Sequence, residues 1–338
     1  MAITAREAMG HAIMASEAVR GTTSPNPPVG CAIVDATATL AGVGATAPPG
    51  GPHAEVAALR AAGDRAHGAT AYVTLEPCAH TGRTSPCADA LIEAGVAAVH
   101  FAVADPNPVA AGGAARLRAA GIAVYQGLMA EEVAGGPLRA WLHHARTGRP
   151  HVTWKYASTM DGRIAAVDGT SRWISSAESR AEVHLLRHRM DAIVVGLGTV
   201  LADDPALTAR GSDGTPGERQ PLRVVVGTGD VPPGARVADD AAPILHLRTH
   251  DPDEVLAALA ERGVVDVLLE GGPRLAAGFV RASAIHLVLA YLAPALLGAG
   301  PAVLADIGVT SITAALRWMV ESVTMVGPDV RVSMRPAG

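Results

Sequence analysis

Pro52-His53-Ala54-Glu55, then Glu76-Pro77-Cys78, then Cys87 nine residues beyond Cys78: this stretch decides how the first half of the chain is read. Two thiolates and one imidazole suit a tetrahedral zinc ion. Three protein ligands leave the fourth position to water, which is the pattern of a catalytic rather than a structural site. Glu55 stands beside the histidine but is not needed as a ligand, so it is free to move protons. Other readings exist. Cys78 and Cys87 could pair as a disulfide, although nothing in the chain points to an oxidising compartment. A structural zinc would want a fourth protein ligand, for which Cys31 and His80 are the candidates. Cys31 lies in the apolar run 29–34 and reads better as a small buried hydrophobe.

His-x-Glu followed by Pro-Cys and a second cysteine is similar to the signature of the zinc deaminases. In that chemistry zinc lowers the pKa of its water, and the oxygen attacks an amino-bearing ring carbon. Glu55 would take the water's proton, pass it to a ring nitrogen and then protonate the departing ammonia. His53 opens a helix predicted over 54–60, and Cys78 follows Pro77 at the end of an apolar strand. A helix start near Cys78 would favour its thiolate.

The chain has 338 residues, for which two domains are the natural expectation. Half of it is apolar with few aromatics, enough to bury a core without disulfides, and its three cysteines point to a reducing cytoplasm. Thr4-Ala5-Arg6-Glu7 reads as a capping box on an amphipathic helix rather than a secretory signal. No apolar run approaches the length of a membrane span. The net charge of −5 and the lack of a basic, aromatic-rich track argue against a nucleic-acid partner. A small molecule, phosphorylated and gripped by isolated arginines, is the expected substrate.

Strand signals at 29–34, 71–75, 96–104 and 122–126 alternate with helical stretches at 54–62, 88–94 and 114–120. This implies a three-layer α/β domain with a largely parallel sheet. Ligands gather at the strand-to-helix junctions of such sheets. Gly135-Gly136-Pro137 and Thr147-Gly148-Arg149-Pro150 punctuate the chain, placing a linker near 136–150 and domains at 1–146 and 150–338. The second half has strand signals at 151–157, 192–195, 223–226, 243–247, 264–269 and 286–291. A final pair, 318–326 and 330–334, reads as a hairpin through Gly327-Pro328-Asp329. Segment 211–219 reads as a surface loop. Glycines after strands, in Gly196-Leu197-Gly198-Thr199 and Glu270-Gly271-Gly272-Pro273, let backbone N–H groups approach a phosphate. No Gly-x-Gly-x-x-Gly stands where a Rossmann unit would put it.

Two sets of motifs carry a resemblance. Asn26-Pro27-Pro28-Val29-Gly30-Cys31, His53-Ala54-Glu55, Thr74-Leu75-Glu76-Pro77-Cys78 and Gly82-Arg83-Thr84 resemble the deaminase half of the bifunctional riboflavin-biosynthesis deaminase/reductases. Residues 155–163, Thr199 to Thr208, Glu270-Gly271-Gly272 and Ala293-Pro294-Ala295-Leu296-Leu297-Gly298 resemble their reductase half. The resemblance implies an α/β chain with a cytidine-deaminase-like three-layer α/β/α domain followed by a dihydrofolate-reductase-like α/β domain. It implies zinc and NADPH as cofactors, a homo-oligomer, and a phosphorylated pyrimidine that is deaminated and then reduced from ribosyl to ribityl. By position it makes His53, Cys78 and Cys87 metal ligands and Glu55 catalytic. Asn26 and Arg83 become deaminase substrate contacts, Arg83 on the phosphate. Ser171, Arg187, Leu207, Arg210 and Glu270 match reductase substrate positions. Ala157, Trp173, Thr199, Asp203 and Thr228 match cofactor positions, as do Gly272, Pro273, Arg274, Leu275, Ala276, Ala277 and Gly278. Lys155 and Glu270 are the candidates for organising charge during the reduction.

The chain departs from the family's pattern in four places. Thr46 stands where a histidine is usual, and Ser85 interrupts the usual Thr-Pro-Pro-Cys. Leu138 replaces a linker asparagine, and Ile285-His286-Leu287 replaces Val-Asp-Glu.

Overall fold

A computed structural model describes residues 2–80, 86–211 and 213–337. The chain divides into two compact units, Met1–Arg149 and Pro150–Gly338. Unit 1 runs α1 (Ala5–Ala18), β1 (Gly30–Val34), β2 (Leu40–Ala45), α2 (Ala54–Ala62), β3 (Thr70–Leu75), α3 (Cys87–Glu93), β4 (Ala98–Val103), α4 (Gly113–Ala119), β5 (Ala123–Gln126), α5 (Ala130–Gly135) and α6 (Arg139–Thr147). The predicted capping box is present: Glu7 N–H donates to Thr4 Oγ1, and Thr4 N–H donates to Glu7 Oε2.

The sheet order is β2-β1-β3-β4-β5. It is not largely parallel: β1 is antiparallel to both β2 and β3, while β3–β4 and β4–β5 are parallel. The difference comes from β2, whose Leu-Ala-Gly-Val-Gly-Ala carries two glycines and so reads as a loop in sequence. A Cβ on Gly42 or Gly44 would lie 2.5 or 2.4 Å from α2 backbone atoms, so the glycines let the helix lie directly on the strand. A Cβ on Gly30 would strike the Ala12 carbonyl of α1 at 1.9 Å. Gly42 and Gly44 pair with Ile33 and Cys31, which face away from Gly30's side, so α1 and α2 cover opposite faces. The result is three layers. The presumed linker is itself helical, with Leu138, Trp141 and Leu142 buried along α6 and its entry. Leu138, fully buried, is therefore a packing residue.

Unit 2 runs β6 (His151–Thr159), α7 (Ala177–His188), β7 (Ala192–Gly196), α8 (Leu197–Asp203), β8 (Leu222–Val226), β9 (Ile244–Leu247), α9 (Pro252–Ala260), β10 (Asp266–Leu269), α10 (Pro273–Arg281), β11 (Leu287–Ala293), β12 (Trp318–Val326) and β13 (Asp329–Pro336). The order is β12-β13-β11-β6-β10-β7-β8-β9. The six strands from β11 to β9 are parallel, and β12–β13 is the predicted hairpin, antiparallel to β11. Ile193 and Val195 pack into one core, Val194 and Val224 into another across the sheet. Burial on both faces is why these strands read as unbroken apolar runs.

His286 explains one departure from the family pattern. Its Nδ1 accepts from Val152 N–H at 2.9 Å, and its own N–H donates to Val152 O. An imidazole nitrogen thus serves the start of β6. Among the described residues, no helix is long and apolar enough to cross a membrane.

Candidate active sites

In unit 1, His53 is the N-cap of α2, with extended dihedrals (φ −74, ψ 164). Residues two apart within a helix diverge by about 200°. The non-helical cap escapes that rule, and both His53 and Glu55 reach the same cluster. The ligand atoms of His53, Cys78 and Cys87 lie within 4.8 Å of one another. His53 Nδ1 is 3.2 Å from Cys87 Sγ and 3.7 Å from Cys78 Sγ. Zinc with ordinary Zn–S and Zn–N bonds holds its donors about 3.5–3.8 Å apart, so the set fits that ion. Among the described residues neither Cys31 nor His80 joins the cluster. All three cysteines are free thiols. Cys31 is fully buried, and burial pushes its thiol up, as expected of a packing residue.

The predicted helix start beside Cys78 is α3, whose first N–H, that of Cys87, donates to Cys78 Sγ at 3.3 Å. The Cys87 side chain holds the Cys78 thiol down to about 4 against the effect of burial, and the His53 ring also lowers it. The Cys87 thiol moves up in return, raised by its hydrogen bond to Cys78 and by burial. Hydrogen bonding to Cys78 raises His53, with burial opposing. Glu55 is buried in the first turn of α2, and burial pushes its carboxyl up to about 7, although its own backbone N–H pulls the other way.

Asn26 is half-buried ahead of β1, its backbone tied to Thr23. Arg83 and Ser85 lie outside the described residues. Thr46 is buried, and its Oγ1 accepts from Val29 N–H at 3.1 Å, so it closes β2 onto β1. One residue that sequence reasoning passed over is Glu76, whose carboxylate accepts backbone N–H groups from Asp105, Gly112 and Ala114.

In unit 2 the site forms at the carboxyl ends of adjacent parallel strands. Trp154 pairs with Leu269, so the next residues, Lys155 and Glu270, stand side by side. Arg187, in the last turn of α7, grips Glu270 through two hydrogen bonds of 2.7 and 2.9 Å and also donates to Thr208 O. Burial alone would raise Glu270. Arg187, by charge and hydrogen bond, and Lys155 by charge bring it down to about 2. Lys155 is lowered by burial, which Glu270 partly offsets and Arg187 reinforces. Its Nζ lies 5.6 Å from the Tyr291 ring centroid. Lys155 is the chain's only lysine among 27 basic residues, a signal available in the sequence. Leu207 is buried at φ +51, and Arg210 Nε donates to Thr208 Oγ1 at 3.0 Å. Lys155, Glu270, Arg187, Leu207 and Arg210 therefore belong to one neighbourhood. His184, one turn before Arg187, joins it and was not foreseen; burial and Arg187 lower its ring.

The cofactor candidates flank this cluster. Gly196 and Gly272 are the N-caps of α8 and α10, and no side chain caps either helix. Their first-turn N–H groups are available to phosphate oxygens. A Cβ on Gly272 would come within 3.4 Å of Thr199 Oγ1, so this turn lies beside the first turn of α8. Pro273, Arg274, Leu275, Ala276, Ala277 and Gly278 form α10 from its first residue. Asp203 ends α8, and its carbonyl accepts from Arg172. Trp173 is exposed, with the Arg180 guanidinium 4.4 Å from its ring centroid. Ser171 and Ala157 are half-buried, and Thr228 follows β8 with its carbonyl bonded by Arg248. These residues fit a dinucleotide phosphate in that uncapped helix ends meet a glycine turn.

Comparison with known proteins matches residues 3–103 to the cytidine and deoxycytidylate deaminase zinc-binding region, and residues 150–332 to the RibD C-terminal domain. The chain is 59% identical to riboflavin biosynthesis protein RibD of Mycobacterium tuberculosis, covering 97% of this chain and 96% of that one. It is 39% identical to RibD of Escherichia coli, covering 95% and 96%. Among solved structures, RibD of Acinetobacter baumannii superposes with a TM-score of 0.87 at 35% identity, over 99% of both chains. The diaminohydroxyphosphoribosylaminopyrimidine deaminase/5-amino-6-(5-phosphoribosylamino)uracil reductase of Thermotoga maritima gives 0.89 at 33%, over 98% and 99%.

Proposed function

Because the chain belongs to the RibD family of riboflavin-biosynthesis proteins, we propose that it is a bifunctional enzyme, a zinc-dependent deaminase over 1–146 and an NADPH-dependent reductase over 150–338. The observation that carries the first half is the trio His53, Cys78 and Cys87 with a buried carboxylate beside it. The substrate is 2,5-diamino-6-ribosylamino-4(3H)-pyrimidinone 5′-phosphate. His53, Cys78 and Cys87 would hold zinc, which would supply the Lewis acidity that makes a water nucleophilic at the amino-bearing carbon. Glu55 accepts that water's proton and hands it to the ring nitrogen. It then takes the second proton from the added hydroxyl and delivers it to the amine, so that the C–N bond breaks and water and the aminopyrimidine become ammonia and the uracil carbonyl. Asn26 and Arg83 would hold the substrate.

The second half reduces 5-amino-6-(5-phosphoribosylamino)uracil. Thr199, Asp203, Thr228, Trp173, Ala157 and the 272–278 turn would hold NADPH, which would supply the hydride for the sugar's C1′. A proton must reach the sugar's ring oxygen as the ring opens to ribityl. Glu270, held near 2, has none to give at neutral pH, so Lys155 is the donor and Glu270 the anion that orients it. Arg187 and Arg210 face the phosphorylated substrate, with Ser171 and Leu207 completing its pocket. The lone lysine fits this role, since arginine cannot release a proton in a protein.

Two perturbations should separate the halves. Stripping metal with a chelator should stop ammonia release from the diaminopyrimidine while NADPH oxidation by the deaminated intermediate continues. Lys155→Arg should do the reverse, lowering NADPH oxidation about a hundred-fold or more with ammonia release intact. Loss of both activities together under either treatment would contradict two independent sites.

The cytoplasm is the compartment this reading implies, since Cys78 and Cys87 must stay reduced. A homo-oligomer is also proposed, supported by the edge strand β12. Its Met319, Val320, Val323 and Met325 are exposed, an apolar patch on a sheet edge unpaired among the described residues. Light scattering should find a dimer or larger, and Val323→Lys should shift it toward monomer. A monomeric wild-type chain at micromolar concentration would refute the oligomer.

A further inference from the structure

We infer that Glu76 is a positioning residue for the metal, tying the Cys78 loop to the 105–114 segment so that the Cys78 thiolate is held at ligand distance. This rests on the reading that His53, Cys78 and Cys87 hold zinc. Glu76 follows β3, two residues before Cys78, and its own N–H donates to Val103 O at the end of β4. Its Oε1 accepts from Gly112 N–H at 3.2 Å and Ala114 N–H at 3.0 Å, and its Oε2 from Asp105 N–H at 3.4 Å. One carboxylate thus gathers three backbone donors, Asp105 from the loop after β4 and, at the start of α4, its N-cap Gly112 and first-turn Ala114.

The same segment presses on the ligand loop from the other side. A Cβ on Gly113 would fall 1.7 Å from Pro77 O, so the α4 backbone lies directly against the residue preceding Cys78. Ala79 N–H donates to Ala110 O at 3.0 Å. Cys78 is therefore bracketed by ties at 76, 77 and 79, while Cys87 N–H and Ala88 N–H donate to its sulfur and carbonyl. Glu76 itself does not belong to the ligand cluster, so its influence on the metal passes through Cys78.

Glutamine at 76 keeps one acceptor oxygen for Gly112 and Ala114 but turns an amide donor toward Asp105 N–H, a donor–donor clash. The test uses the full-length chain as wild type, Glu76→Gln and Glu76→Ala. Zinc is titrated against a chromophoric chelator, and cobalt(II) is substituted to read its thiolate charge-transfer absorption. Thermal unfolding and NADPH oxidation serve as folding controls. Glu76→Gln should bind zinc 10–100-fold more weakly and show a changed cobalt band at an unchanged unfolding midpoint, with Glu76→Ala weaker still. If Glu76→Ala does not fold, Glu76→Gln decides. Wild-type zinc affinity and cobalt absorption in Glu76→Gln would overturn the inference, as would a band lost only together with a lowered midpoint. A wild-type chain that takes up neither ion would overturn the reading of the site, and this inference with it.

Discussion

Glu55→Gln should lower ammonia release about a thousand-fold while zinc stays bound and NADPH oxidation by the deaminated intermediate is unchanged. Glutamine keeps the shape and some hydrogen bonding but has no basic oxygen to accept the water's proton, and no acidic one to return it. The carboxylate is buried, hydrogen-bonded to Cys87 and within electrostatic reach of His53 and Cys78. Because Glu55 is not a ligand in this account, metal content should not fall. The check is ammonia release at saturating substrate together with zinc per chain. Near-wild-type release would remove Glu55 from the proton path, and release lost together with the metal would make it a ligand.

Arg187→Ala should both abolish reduction and destabilise unit 2 by about 3–5 kcal/mol, because it leaves Glu270 buried without its bidentate partner. The linkage gives a similar size. Glu270 sits near 2 instead of 4.5, which at about 1.4 kcal/mol per pH unit is worth about 3 kcal/mol. The sign follows from the depressed value: this stability is fully present above pH 4.5 and is lost as pH falls through about 2. Wild type and Arg187→Ala should therefore differ most at neutral pH and converge in strong acid. Three of the four tryptophans, Trp154, Trp173 and Trp318, lie in unit 2, so fluorescence during urea unfolding reports on it. The double variant Arg187→Met/Glu270→Leu should recover stability without activity, separating the structural role of the pair from its place in the substrate pocket. A single variant as stable as wild type would show that the pair is not the anchor described.

Much of this architecture is legible in the chain because its signals are local. The Thr4–Glu7 box, the helix after His53 and the apolar runs of β7, β8 and β10 each follow from a few neighbouring residues. What the sequence hides depends on distant partners. β2 looks like a glycine loop until α2 is laid upon it, and with β2 comes the antiparallel half of the sheet. Arg187 is an ordinary helical arginine until Glu270, 83 residues away, meets it. Glu76 is a motif residue whose donors lie 29 to 38 residues on, in a loop and the start of α4. The zinc trio was readable because the chain has only three cysteines and two of them follow a His-x-Glu, and Lys155 could have been singled out as its lone lysine.

The most direct measurement follows both steps in one vessel. Purified full-length chain is given the diaminopyrimidine phosphate and NADPH, with ammonia recorded by electrode and NADPH by absorbance. The account predicts one NADPH oxidised per ammonia released, with ammonia leading. NADPH consumed without ammonia, or ammonia released with no NADPH ever consumed, would contradict it.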